Sequence, residues 1–378
     1  MRASKGIWLL RGLYLLYFGA YAYYIPYINV YLEGLGLSGS EIGLVRSLPS
    51  LVGIVAAPIW GFISDALNVR RRLVIIGLAS STLVLLLFSR ATHLVWLIFL
   101  ASLYALMIAP VVPMLTSMTL EQLGEKRVEY GQTRLWGAVG WGIMAPLAGW
   151  LIHNLGVSWI FYGYTILAAI GLMLATRLPA AGAGLEGAPI ESVRLLLSDR
   201  KLQVFLVSVF LAGVGSAVST NFLVLFLKQL GGSEALYGLS LTVTTLSEIP
   251  VYFFAATLLR RFRIRSVILG ALAGYVTYLF LCAQLVNPIW VLPVQLLLGG
   301  TFGALWTSGV EYMERLAPPA LRATAQSLFG SVFMGLGHAA GAVVGGALYD
   351  GVGPVATFRL TGLVVLVGLG LFWAMGSD

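Results

Sequence analysis

Apolar residues in this chain come in runs of about twenty, the length of helix that crosses a bilayer's hydrocarbon core, and they rarely alternate with polar residues at every second position. In lipid every backbone amide must be satisfied within its own segment, so runs of this kind are read as helices. Twelve are legible, at 7–31, 42–63, 73–89, 94–120, 131–152, 158–177, 201–227, 235–259, 266–286, 289–313, 324–349 and 355–376. The first begins like a secretory leader, with Arg2 and Lys5 before an apolar stretch that reaches Ala20-Tyr21-Ala22. Arg11 interrupts that stretch and it continues to Tyr31, so it is expected to remain as a spanning helix. The predicted fold class is an all-α membrane protein.

Composition narrows the field. The 378 residues are 59% hydrophobic and 10% charged, whereas a soluble domain carries about 25% charged residues. One cysteine, Cys282, excludes an internal disulfide and a cysteine-based zinc site, and three scattered histidines make no metal cluster. No cofactor is expected. Gly34-Leu35-Gly36-Leu37-Ser38-Gly39 spells G-x-G-x-x-G, but it follows a membrane helix and no strand, so it is read as a turn. A Walker-type phosphate loop is missing, which removes ATP as the driving force within this chain. No nucleic-acid partner is inferred from the net charge of +8, because the basic residues sit in short clusters between apolar runs.

Those clusters orient the chain. With both termini placed in the cytoplasm, 17 of the 23 lysines and arginines fall on that side, in groups such as Arg70-Arg71-Arg72 and Arg260-Arg261. Arg11, Arg46 and Arg134 fall inside or at the rim of apolar runs. The sequence also repeats: a shift of 193 residues carries Ser40-Glu41 onto Ser233-Glu234, Val74-Ile75-Ile76-Gly77 onto Val267-Ile268-Leu269-Gly270, and Leu135-Trp136-Gly137 onto Leu328-Phe329-Gly330. Residues 1–178 and 201–378 are therefore expected to be two pseudo-symmetric bundles of six helices. The linker 179–200 carries an amphipathic piece, IESVRLLLSDRK, expected at the cytoplasmic interface. Parallel halves of this kind are how many secondary transporters are built, with substrate near the midplane.

GFISDALNVRRRL, residues 61–73, resembles the loop between the second and third helices of the major facilitator superfamily, with Gly61, Asp65, Arg70 and Arg71 in matching places. Asn68 stands for the family glycine and Ala66 for the usual base. The resemblance implies a twelve-helix carrier with a cytoplasmic latch in which Asp65 pairs with Arg70; the matching second loop, RRFRIR, has no aspartate. Arg134-Leu135-Trp136-Gly137-Ala138-Val139-Gly140-Trp141 resembles the fifth helix of the proton-coupled branch that includes lactose permease, the nucleoside symporters and the phenylpropionate permease. In that branch the arginine enters the substrate cavity. TVTTLSEIPVYFF, residues 242–254, resembles its eighth helix, whose mid-membrane glutamate corresponds to Glu248. The lactose permease acid on helix four falls near Thr116, and its helix-ten histidine and glutamate fall in LLLGGTF, 296–302, which has neither, so galactoside transport by that apparatus is not implied.

Depth sharpens the candidates. Glu248 lies 14 residues after Glu234 and 12 before Arg260, which at about 1.5 Å per residue places it close to the bilayer centre. A carboxyl there is suited to take and release a proton as a carrier reorients, where a structural ion pair is the plainer alternative. Arg134 keeps its charge and offers a planar fork for a carboxylate or for hydroxyls; snorkelling to the rim is its alternative. Trp141, seven residues on, shares that helix face and could stack on a flat or sugar-like solute, or simply pack. His338 is a second protonatable candidate, or a satisfied interior histidine. Arg46 could guide anions inward, with snorkelling the favoured reading; Asn221, Tyr24, Asn29 and Trp306 are candidate cavity polars, and Glu311 is expected to pair locally.

The resemblance implies a secondary transporter, not an enzyme: proton-coupled uptake of a sugar, nucleoside or aromatic acid by alternating access, with efflux of amphiphilic compounds as the alternative. Implied partners are the solute, protons and the lipid bilayer. The chain is expected to act as a monomer in a bacterial-type inner membrane.

Overall fold

The computed structural model describes residues 2–67, 69–124, 130–178, 199–318 and 321–375. Among these residues there are helices, turns and no strand. The helices are α1 (Arg2–Tyr24), α2 (Ile28–Gly34), α3 (Gly39–Leu67), α4 (Arg70–Phe88), α5 (Leu94–Ile108), α6 (Val111–Leu123), α7 (Tyr130–Leu155) and α8 (Trp159–Ala175). They continue as α9 (Arg200–Gln229), α10 (Glu234–Arg261), α11 (Ile264–Cys282), α12 (Val291–Leu316), α13 (Arg322–Gly330) and α14 (His338–Ala374). Seven π-helical residues, Ser331–Gly337, join the last two.

Two predicted runs are broken where proline removes a backbone donor. The first divides around Ile25-Pro26-Tyr27, between α1 and α2, and the fourth divides at Ala109-Pro110, between α5 and α6. α14 is interrupted at Gly353, whose φ of 79° and following Pro354 reverse the chain. The stretch Thr324–Ala374 therefore makes two traverses. Seven other stretches are long and apolar enough to span. α1 carries Arg2, Lys5 and Arg11, α8 has 17 residues, and α10 carries Glu234, Glu248, Arg260 and Arg261. These three complete the twelve traverses of an all-α membrane fold.

The chain forms two compact units. The first comprises Met1–Leu35, Leu51–Gly187 and Ser233–Thr242. In it α1 packs along α7 and α8, and α4 packs on α5, α6 and α8. The α1 and α7 backbones come so close that a side chain at Gly140 would collide with the Leu15 carbonyl. The start of α10 joins this unit: Thr242 Oγ1 donates to the Gly142 carbonyl at 2.8 Å, and His153 Nδ1 lies 3.2 Å from Glu234 Oε2. The Tyr27 hydroxyl, fully buried, donates to the Ala145 carbonyl at 2.7 Å.

The second unit comprises Gly36–Ser50, Ala188–Gly232 and Val243–Asp378. Its centre is α9: 72% of that helix's apolar window is buried, against 28–44% in the other long spans. α9 packs on α14 and the π-helical turn, and α11 packs on α12 and α14. The start of α3 joins this unit by resting on α14, where Asp350 accepts from the Gly39 and Ser40 amides and the Ser40 hydroxyl, each at 2.7 Å. The predicted linker, 179–200, and its amphipathic piece lie outside the described residues up to 198; Asp199 caps α9 by accepting from the Lys201 amide at 2.7 Å.

Candidate functional site

In the first unit, α1 carries aromatic residues at helical spacing, Tyr14, Tyr17, Phe18, Tyr21 and Tyr24. Arg134 of α7 lays its guanidinium on that row, its Cζ 4.1 Å from the Phe18 ring centre and 5.7 Å from that of Tyr14. Gly137, one turn on, makes room: a Cβ there would lie 2.6 Å from Arg134 Nη1 and 2.7 Å from Phe18. Arg134 is half-buried and makes no hydrogen bond or ion pair among the described residues. Trp141 is half-buried on the same helix, 6.3 Å from the Tyr21 ring. Tyr24 is buried, 4.8 Å from the Tyr104 ring and 6.3 Å from that of Tyr164. Thr116 links two phenols, with Tyr14 at 3.3 Å and Tyr130 at 3.2 Å.

In the second unit, Glu248 sits midway along α10, half-buried, and forms no hydrogen bond or ion pair among the described residues. α10 rests here on Gly299 of the LLLGGTF run and on Gly303, the residue after it, both of α12. Tyr275 of α11 is buried. His338 opens α14 directly after the π-helical turn, with Nε2 3.3 Å from Ser216 Oγ on α9. Arg46 departs from the expected snorkelling: its Nε donates to Asn221 Oδ1 at 2.9 Å, because α3 crosses α9 at that level and a buried amide is within reach. Asn221 thus serves a neighbouring cation. Trp306 stands in a ring cluster, 5.1 Å from Phe329 and 5.9 Å from Phe302.

The basic loops have structural employment. Arg70 is buried and bonds Glu121 at 3.2 Å. Arg71 donates to the Thr176 carbonyl at the end of α8, and Arg265 donates to the Trp373 carbonyl at 2.7 Å at the end of α14. Each cation thereby satisfies the terminal carbonyls of a helix and complements its dipole. Gly61 has open space where a side chain would be. The Asp65 side chain and Asn68 lie outside what is described. Glu311 pairs locally with Arg315 at 2.9 Å, and Asn29 is fully buried. The partners that sequence reading did not single out, Tyr17, Phe18, Tyr21 and Ser216, are hydroxyl-bearing or aromatic residues common in membrane helices; only the aromatic spacing along α1 signals them.

A family model described as the MFS_1 like family matches residues 7–360. The maltose permease of Geobacillus stearothermophilus is 30% identical over 360 residues, covering 94% of this chain and 91% of that one. The probable 3-phenylpropionic acid transporter of Escherichia coli is 26% identical, covering 97% and 93%. Among solved structures, the nucleoside transporter NupG superposes with a TM-score of 0.87 at 17% identity, covering 98% of each chain. With the family model spanning nearly the whole chain and the helical fold in agreement, the protein belongs to the MFS_1-like family of major facilitator transporters.

Proposed function

We propose that this transporter couples uptake of a small organic solute to protons by alternating access, with Glu248 as the proton-exchanging group and Arg134 as the fixed anchor for substrate. One observation carries the reading: Glu248 and Arg134, each half-buried on a spanning helix, have no hydrogen bond or ion pair among the described residues, whereas Arg46 is held by Asn221 and Arg11 lies over the Trp8 ring near the start of α1. An intramembrane charge is costly unless a partner or a function retains it. Glu248 can shed its charge by protonation, whereas a guanidinium cannot, which divides the roles. The half-buried faces of Tyr17, Phe18, Tyr21 and Trp141 beside Arg134 suit a solute that presents a ring together with hydroxyls or a carboxylate. The relatives' names fit that description: maltose, 3-phenylpropionic acid and a nucleoside.

The same proposal keeps both termini in the cytoplasm of a bacterial inner membrane, from the placement of the basic loops. It keeps two six-helix halves at 1–178 and 201–378, a monomer, and a latch that adds Asp65 to Gly61, Arg70 and Arg71. In proteoliposomes screened with maltose, uridine and 3-phenylpropionate, Glu248→Gln should abolish accumulation driven by a proton gradient while leaving solute exchange. Gradient-driven accumulation at the wild-type level in that variant would remove Glu248 from the mechanism.

A further inference from the structure

We propose that a groove on the second unit, bounded by α10, α11 and α12, is a binding site for one anionic phospholipid. The groove holds about 400 Å³ and its lining is mostly apolar, with Leu258 of α10, Phe262 just beyond that helix, Gly270 and Gly274 of α11, and Leu296 and Gly300 of α12. In lipid, small residues usually let helices close on one another. Here α11 packs on α12, yet nothing lies within 4 Å of the side-chain position at Gly270 or at Gly300, so the missing side chains leave a slot. Phe262 and Leu296 are exposed at its rims. Along α11 the slot runs from Ser266 to Gly274, about 12 Å at 1.5 Å per residue. One leaflet's hydrocarbon is about 15 Å deep, half of the bilayer core. A single acyl chain has the shape and the length for such a slot.

Charge at the mouth selects the headgroup. Arg260, Arg261, Arg263 and Arg265 fall within six residues where α10 gives way to α11, and no aspartate or glutamate occurs between Glu248 and Glu311. The matching connection in the first unit differs, since Arg70 there is buried on Glu121. Arg265 is taken by the Trp373 carbonyl. Arg261 and Arg263 are exposed and make no ion pair among the described residues. The Arg261 Cζ lies 6.0 Å from the centre of the Phe262 ring, which lines the slot, so this cation stands at its edge. α11 opens with no side-chain cap and no acid in its first turn, and the exposed Ser266 lines the slot one turn along. Its first amides therefore add to the positive end that the arginines make.

An apolar slot between spanning helices that ends in exposed arginines matches a ligand with hydrocarbon at one end and negative charge at the other. A zwitterionic phospholipid offers the same chain with no net charge, and a free phosphate ester offers the charge with no chain. Each therefore satisfies half of the site. The slot borders the helix that carries Glu248, but the assignment needs no role for that carboxyl.

Native mass spectrometry of the whole delipidated protein, released from neutral detergent, tests the site. The protein is titrated with phosphatidylglycerol, with phosphatidylcholine of the same chains, or with glycerol 3-phosphate. One phosphatidylglycerol should bind about tenfold or more tightly than phosphatidylcholine, and glycerol 3-phosphate should not be retained. The double variant Arg261→Gln/Arg263→Gln should weaken phosphatidylglycerol by about thirtyfold, the share of two arginines near an anionic surface, and leave phosphatidylcholine unchanged. Gly300→Leu fills the slot from a position with open space and should lose the bound lipid, while its melting temperature without lipid stays at the wild-type value and shows that it is folded. Equal affinity for the two lipids would overturn the site. So would wild-type affinity in either folded variant, or glycerol 3-phosphate binding as tightly as phosphatidylglycerol.

Discussion

A lone charge inside an apolar run is conspicuous because hydrocarbon penalises it, and that is why Arg134, Glu248 and Arg46 were legible as residues of interest in the chain itself. Their partners were not. Phe18 under Arg134 and Asn221 beside Arg46 lie 116 and 175 positions away in sequence, so only the fold brings them together. The guanidinium carbon sits over the Phe18 ring, 4.1 Å from its centre, and no described residue takes up the N–H groups of the fork. Lysine at this place would keep the charge and lose both the stacking and the paired donors. Hydrogen bonds to charged groups are worth about 1.5–3 kcal/mol, so Arg134→Lys should weaken binding of 3-phenylpropionate, or of whichever probe stabilises the wild type, by roughly tenfold or more. Calorimetric titration of the purified variant checks this, and an unchanged Kd would free Arg134 from the role of anchor.

At the scale of elements, the run lengths anticipated the spanning helices, since bilayer thickness sets them, but not their internal interruptions. Pro26 and Pro110 fall within apolar runs that hydropathy reads as continuous, and the π-helical turn at Ser331–Gly337 has no composition that distinguishes it from α-helix. Polar ends escaped the runs for the same reason: α10 begins at Glu234 and ends at Arg261, with both charged termini appended to an apolar middle. What holds neighbouring helices is close approach at small residues, since lipid supplies no hydrophobic drive for helix association. α1 and α7 depend on it at Gly140, where an added side chain meets the Leu15 backbone, which cannot move aside as a flexible side chain would. Gly140→Val should therefore destabilise the detergent-solubilised protein by about 1–3 kcal/mol, the usual cost of overpacking. Gly270→Val is the control, because nothing lies within 4 Å of the Cβ it would add. Equal melting temperatures for the two variants would refute the close packing of α1 on α7.

Across the whole molecule, the repeat read at a shift of 193 residues reappears as equivalent structural roles. Arg71 and, one residue out of that register at a shift of 194, Arg265 each close the last turn of another helix in their own unit. Ser40-Glu41 and Ser233-Glu234 each open a helix whose start is packed with residues from the other part of the sequence: α3 on α14 in the second unit, α10 on α7 in the first. Alternating access, as proposed above, asks both crossings to part, and Asp350 is the polar fastening of one of them. It stands at the end of the traverse before the Gly353 reversal and caps α3 from outside that helix, adding charge to three accepted hydrogen bonds. Partial burial pushes its carboxyl up, but the Ser40 hydroxyl and the Ser40 and Gly39 amides outweigh this and hold it below the usual carboxylate range. Because the folded value is the depressed one, the fastening is complete at neutral pH, above the free value of about 3.9. It is lost as pH falls through the folded value. Losing a cap costs about 1 kcal/mol, which corresponds to roughly fivefold more local opening. Hydrogen exchange over residues 39–46, corrected for intrinsic rates, should rise by that factor in Asp350→Ala at neutral pH and leave the matching α10 segment, 234–242, unchanged. A rise in both segments would mean that the two crossings open as one unit, and no rise in either would show that packing of α3 on α14, and not Asp350, holds this crossing shut.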